Sequence, residues 1–210
     1  MQARTMFVAV AVMLLAVGTA QAKIWSLQDD FSTTSNPNGE WSYGHSENGF
    51  TLYTTHNSST WSTSSNEACI WKNLGSSTYL GVLPGEVALH PALHGEQSIA
   101  RWTSPLDGSI TVTGTFGAGD TGKVDTLIYL TRGVGAPQLL FSVYDTPNSQ
   151  PFNLTPLVGD GDRLDFIVGR GTDGYSSDST PLSATITPEP ATLSLLVLGG
   201  LAVLVRRKRK

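Results

Sequence analysis

The stretch Ser109-Ile110-Thr111-Val112-Thr113-Gly114-Thr115-Phe116 decides the fold. Ile110, Val112 and Phe116 fall on one face at a period of two, and Thr111, Thr113 and Thr115 fall on the other. That alternation is the mark of a half-buried β-strand. A helix needs apolar residues at i, i+3, i+4 and i+7, and no segment between Lys23 and Thr187 keeps that spacing for three turns. Working outward, strands are predicted at 125–131, 139–144, 163–168 and 183–186 on one side. On the other side they are predicted at 41–43, 50–53, 68–71, 87–89 and 98–102. Turn signals separate them: Asn36-Pro37-Asn38-Gly39, Pro84-Gly85, Asp107-Gly108, the Gly-rich run 117–122 and Gly159-Asp160-Gly161. About ten short strands with Gly/Asp turns predict an all-β chain, an antiparallel β-sandwich of jelly-roll type. The polar stretches 54–66 and 172–181 read as long loops.

Composition agrees. Only 14% of the 210 residues are charged, and 22 are glycine. This suits turn-rich β structure better than helices, which draw on Ala, Glu, Lys and Arg. The charges are segregated. Between Lys23 and Thr187 there are seven basic and sixteen acidic residues, a net −9. A domain this acidic is a poor partner for nucleic acid, which requires clustered Lys and Arg. The lone cysteine, Cys69, can form no internal disulfide and reads as a small buried hydrophobe.

The two ends read as targeting segments. Arg4, the apolar run 6–17 and Ala20-Gln21-Ala22 have the three parts of a secretory signal peptide spanning residues 1–22, with signal peptidase expected to cut after Ala22. A β-sandwich domain of residues 23–187 follows. At residues 188–210, Pro188-Glu189-Pro190 precedes an uncharged apolar run, 191–205, and then Arg206, Arg207, Lys208, Arg209 and Lys210. The run would span about 22 Å as a helix, and flanking cations would snorkel to complete a membrane crossing. The basic cluster is expected on the cytoplasmic side and the domain outside. Pro188 and Pro190 are expected to form a stiff, exposed junction.

Pro-Glu-Pro, a short apolar helix and a terminal basic cluster closely resemble the PEP-CTERM sorting signal of Gram-negative bacteria. The resemblance implies recognition by an exosortase, a membrane enzyme that processes its substrates near the motif. It also implies display at the surface or in a biofilm alongside exopolysaccharide. In that setting Pro188, Glu189 and Pro190 are recognition residues and catalyse nothing. Leu89-His90-Pro91, the run 100–105, the run 108–116, the run 158–166 and the run 175–180 are in turn similar to secreted jelly-roll domains of Planctomycetes-like bacteria. That second resemblance implies a fold and no particular activity.

Candidate chemistry within the domain is sparse. His90 and His94 sit at i and i+4 beside Glu86 and Glu96, but Pro91 and Gly95 leave room for one helical turn at most. Asp160, Asp162 and Asp165, with Asp178 as a further ligand, are calcium candidates, although the downstream Glu of an EF-hand is missing. Trp61, in the polar stretch 54–66, is the candidate for stacking against a sugar face, whereas Trp71 and Trp102 read as core. No Gly-x-Ser-x-Gly elbow occurs, and no cofactor is expected apart from the calcium alternative. These features predict a non-enzymatic exported surface or matrix protein. The alternatives are a tethered carbohydrate-binding module, an ice-binding protein using the row Thr111, Thr113 and Thr115, and a secreted hydrolase.

Overall fold

Strand β9 (Gly108–Phe116) buries Ile110, Val112 and Phe116 and leaves its three threonines half-buried on the other side, as the alternation requires. The structure, a computed structural model, describes residues 23–46, 49–64 and 67–189. The signal peptide with its cleavage residues Ala20 and Ala22, Pro190, the apolar tail and the basic cluster all lie outside the described residues. Among the described residues no helix is long and apolar enough to cross a membrane.

The described chain is all-β, with two antiparallel sheets and one four-residue helix, α1 (Leu27–Asp30), capped by the Ser26 hydroxyl. The first sheet is centred on β9 and β15 (Thr180–Pro188). Beyond β15 come β7 (Val87–His90), β6 (Cys69–Lys72), β5 (Thr60–Ser62) and β4 (Thr55–Asn57), and beyond β9 lies β12 (Gln150–Leu154). Two-residue strands β1 (Trp25–Ser26) and β13 (Leu157–Val158) pair with β15 and β9. The second sheet runs β11 (Gln138–Thr146), β10 (Val124–Thr131), β14 (Arg163–Arg170), β8 (Gln97–Thr103), β2 (Trp41–Ser46) and β3 (Phe50–Leu52).

A single core joins the sheets. A chain of rings crosses it: Phe116 to Phe152 at 5.5 Å, Phe152 to Phe166 at 5.8 Å and Phe166 to Trp41 at 6.0 Å. Trp25 meets Trp102 edge to face at 5.2 Å. Each such pair adds about 0.5–1.5 kcal/mol beyond its burial, which helps a fold that has no disulfide. This shared core over two antiparallel sheets is the arrangement of a β-sandwich.

All ten predicted strands occur, with modest changes of boundary. The expected long loop at 54–66 is instead largely the β4–β5 hairpin, turning at Ser58 with φ +42°. Its Ser/Thr/Asn composition resembles a loop, but Thr is β-branched and Trp61 supplies an inward anchor. Strand β12 escapes sequence reading because it contains Pro151. It lies at the sheet's edge, where a missing N–H leaves the ladder intact.

Candidate functional site

The sorting junction grows directly out of the sheet. Strand β15 pairs with β9 from Leu182↔Phe116 to Pro188↔Ile110, and Glu189 N–H then donates to Ser109 O at 3.0 Å. Pro188 is therefore the last residue of a central strand and half-buried, while Glu189 is exposed. Pro188 thus belongs to the sheet and not to the stiff, exposed junction expected there. The cause is the ladder with β9, which continues through Pro188 because a strand, unlike a helix interior, tolerates its fixed φ.

A second feature lies on the outer face of the six-stranded sheet. Alternation turns Ser98, Ala100 and Trp102 of β8 to the core and Ile99 and Arg101 away from it. Ile99, Leu127 and Ile167 form an apolar floor here, partly covered by Phe50 and Tyr129. Ile99, Ile167, Phe50 and Tyr129 line an open groove of about 510 Å³ together with Arg101 and Asp165. Arg101 and Asp165 stand opposite each other on β8 and β14. The guanidinium donates through Nε at 2.6 Å and Nη2 at 2.7 Å to the two carboxylate oxygens. Its carbon also sits 3.8 Å from the Phe50 ring centroid. An apolar floor with a few fixed polar groups, on a rigid sheet, is the general form of a ligand groove.

The sequence-predicted residues fare differently. Trp61 is buried in β5, its indole N–H donating to Ser32 O at 2.8 Å, with His56 against its ring at 4.6 Å. It is a core residue, and the stacking role expected of it is corrected: the hairpin turns its ring inward. The three calcium candidates are held apart. Asp162 accepts the N–H groups of Gly159 at 2.8 Å and Gly133 at 3.1 Å, and Asp165 is engaged by Arg101. Asp160 is exposed. Asp178 lies at the other end of the sandwich, beyond the end of β14 at Arg170, whereas Asp162 precedes its start at Arg163. The calcium grouping is thus corrected, because Asp162 caps a turn, Asp165 pairs with a cation, and Asp160 and Asp178 stand apart from both. His90 Nδ1 contacts Pro91 O at 2.7 Å, His94 is exposed, and Glu86 accepts Leu83 N–H at 2.8 Å. Among the described residues no group of three His, Cys, Asp or Glu side chains is placed to hold a metal.

Sequence reading missed the groove. Its one available signal was a charge inside each of two apolar strands, Arg101 within 98–102 and Asp165 within 163–168. Opposite charges in neighbouring strands mark a cross-strand pair on a shared face.

Among solved structures, the enzymatically active domain of bacteriophage CBA120 tailspike protein 4 is similar at 9% identity and a TM-score of 0.40, covering 75% of this chain and 21% of that one. The exo-β-1,3-galactanase from Phanerochaete chrysosporium matches at 16% identity and a TM-score of 0.31, over 58% of this chain and 26% of its own. A β-glucosidase from Kluyveromyces marxianus matches at 11% identity and a TM-score of 0.29, over 76% and 18%. This chain therefore spans no more than 26% of the length of any of the three. No curated protein matches it. The family match falls on the tail, residues 187–210. There the chain carries the PEP-CTERM protein-sorting motif, the mark of a protein that is exported and processed at the membrane by an exosortase-type enzyme.

Proposed function

We propose that this chain is a non-enzymatic protein of the cell surface or extracellular matrix, a jelly-roll sandwich displayed through its sorting tail and associated with extracellular polysaccharide. The observation that carries the reading is the direct passage of β15 into Pro188-Glu189. The folded domain and the processing motif arrive at the membrane as one unit, with no linker between them. In this reading signal peptidase cuts after Ala22 and the basic cluster holds the cytoplasmic end of the tail. The strand orders β7-β15-β9-β12 and β8-β14-β10-β11 within the two sheets support the jelly-roll assignment: among these eight strands the chain alternates between sheets except at the β10–β11 hairpin. Surface proteolysis of intact cells tests the placement: the domain should be digested from outside. Protection until the cells are lysed rejects it.

A second reading, a tethered carbohydrate-binding module, is favoured by the groove at Phe50, Arg101, Tyr129 and Asp165. Ring faces can stack on apolar sugar faces, and the Arg–Asp fork offers fixed partners for hydroxyls. Co-sedimentation of the full chain with purified exopolysaccharide tests it. Binding should fall at least tenfold in Tyr129→Ala. Equal binding by wild type and variant removes the groove from consideration.

A further inference from the structure

We propose that Asp178 anchors a calcium site between the loops at 117–123 and 172–179. Asp178 is 1% exposed, and neither of its carboxylate oxygens has a hydrogen-bond partner. A buried carboxylate without a donor or counter-charge is costly, by several kcal/mol, and proteins retain one when something cationic meets it. Lys123, the one Lys or Arg within these two loops, is paired with Asp145 at 3.3 Å. The charges that act on Asp178 are all negative. Burial first, then Asp173, Asp120 and Asp125, push its carboxyl up to about 7.

The surroundings suit a hard cation. Asp178 lines a cavity of about 10 Å³, together with Asp120, Thr146, Asn148, Ser177 and Ser179. That volume holds one ion or one water. Backbone carbonyls, hydroxyls and an amide oxygen supply the oxygen donors that calcium accepts in flexible geometry, with water completing the shell. The loops need their glycines to close this tightly. A Cβ at Gly122 would land on Asp178 Oδ1, and one at Gly119 on Ser179 O. The local excess of acidic charge matches a divalent ion. With a single buried carboxylate and many neutral donors, the expected affinity is that of extracellular modules, a Kd of about 10⁻⁴–10⁻³ M.

The test uses the full chain in detergent micelles, stripped with EGTA and titrated with calcium chloride at neutral pH. Calorimetry should show one calcium bound per chain. At calcium about 100 times the Kd, the unfolding temperature should rise by about 5–10 °C. Asp178→Asn keeps the shape and removes the charge. It should unfold no earlier than wild type in EGTA and lose the calcium response. Asp160→Asn, at the other end of the sandwich, should respond like wild type. A wild-type chain that takes up no calcium overturns the proposal whatever the variants do, as does an Asp178→Asn protein that binds calcium with wild-type affinity.

Discussion

Arg101 of β8 and Asp165 of β14 face each other in register and are joined by two hydrogen bonds of 2.6 and 2.7 Å. Their side chains are only 15% and 10% exposed. The pair stands beside Ile99 and Ile167, so losing one partner strands the other charge on an apolar floor. Arg101→Ala should lower stability by about 3 kcal/mol. Replacing both residues, as Arg101→Met with Asp165→Leu, should recover most of that loss, because an apolar pair extends the floor. Urea unfolding of the single and double variants measures both effects.

Trp61 provides a test of the corrected assignment. Its indole is buried and hydrogen-bonded to Ser32 O. Trp61→Ala should therefore cost about 3–5 kcal/mol of stability. If Trp61 were instead an exposed sugar platform, the substitution would leave thermal unfolding unchanged and abolish polysaccharide binding.

Gly114 lies in the middle of β9, between β12 and β15. A Cβ there would collide with Ser183 O and with the Phe152 ring. Gly114→Ala should destabilise the fold by about 2–3 kcal/mol, an overpacking cost at a position that a strand pattern alone would leave open to any small residue. Equilibrium unfolding checks this against Gly85→Ala. Gly85 has open space around it, and its φ of +84° makes backbone strain the only penalty there.

Cys69 carries a pH dependence of known sign. Burial pushes its thiol up to about 12 from an ordinary value near 9. The unfolded thiol ionises first, so the stability present below pH 9 declines as pH rises from about 9 towards 12. Cys69→Ala should flatten that decline. At pH 8 iodoacetamide should label the urea-denatured chain quickly and the native chain slowly, since the thiolate is the reactive species.

The strands were legible wherever side chains alternate or run apolar, which is why β9, β10, β14 and β8 emerge from the sequence within a residue or two of their ends. The β4–β5 hairpin was not, because a single inward residue, Trp61, offers no period. Pro151 concealed β12, since its meaning depends on whether the strand lies at an edge. The tail motif was fully legible because it is linear. The groove was not, because Phe50, Arg101, Tyr129 and Asp165 come from four strands and meet only through the sheet register. The unpaired state of Asp178 was likewise hidden, because orphaned oxygens are a property of packing and leave no trace in residue order.

In the proposed function, residues 187–210 carry this sandwich to the cell surface through an exosortase-type enzyme. Glu189 bears on it most directly, because its exposed side chain can be changed with the β15–β9 ladder left intact. The measurement is the cellular fraction and mass of the full chain and of Glu189→Ala, expressed in cells that contain such an enzyme. The wild-type domain should reach the surface or medium and should have lost the segment after the motif. Glu189→Ala should remain in the inner membrane with its tail attached and its unfolding temperature unchanged. Equal surface delivery of the two proteins, or of a chain lacking residues 187–210, would contradict the proposed function.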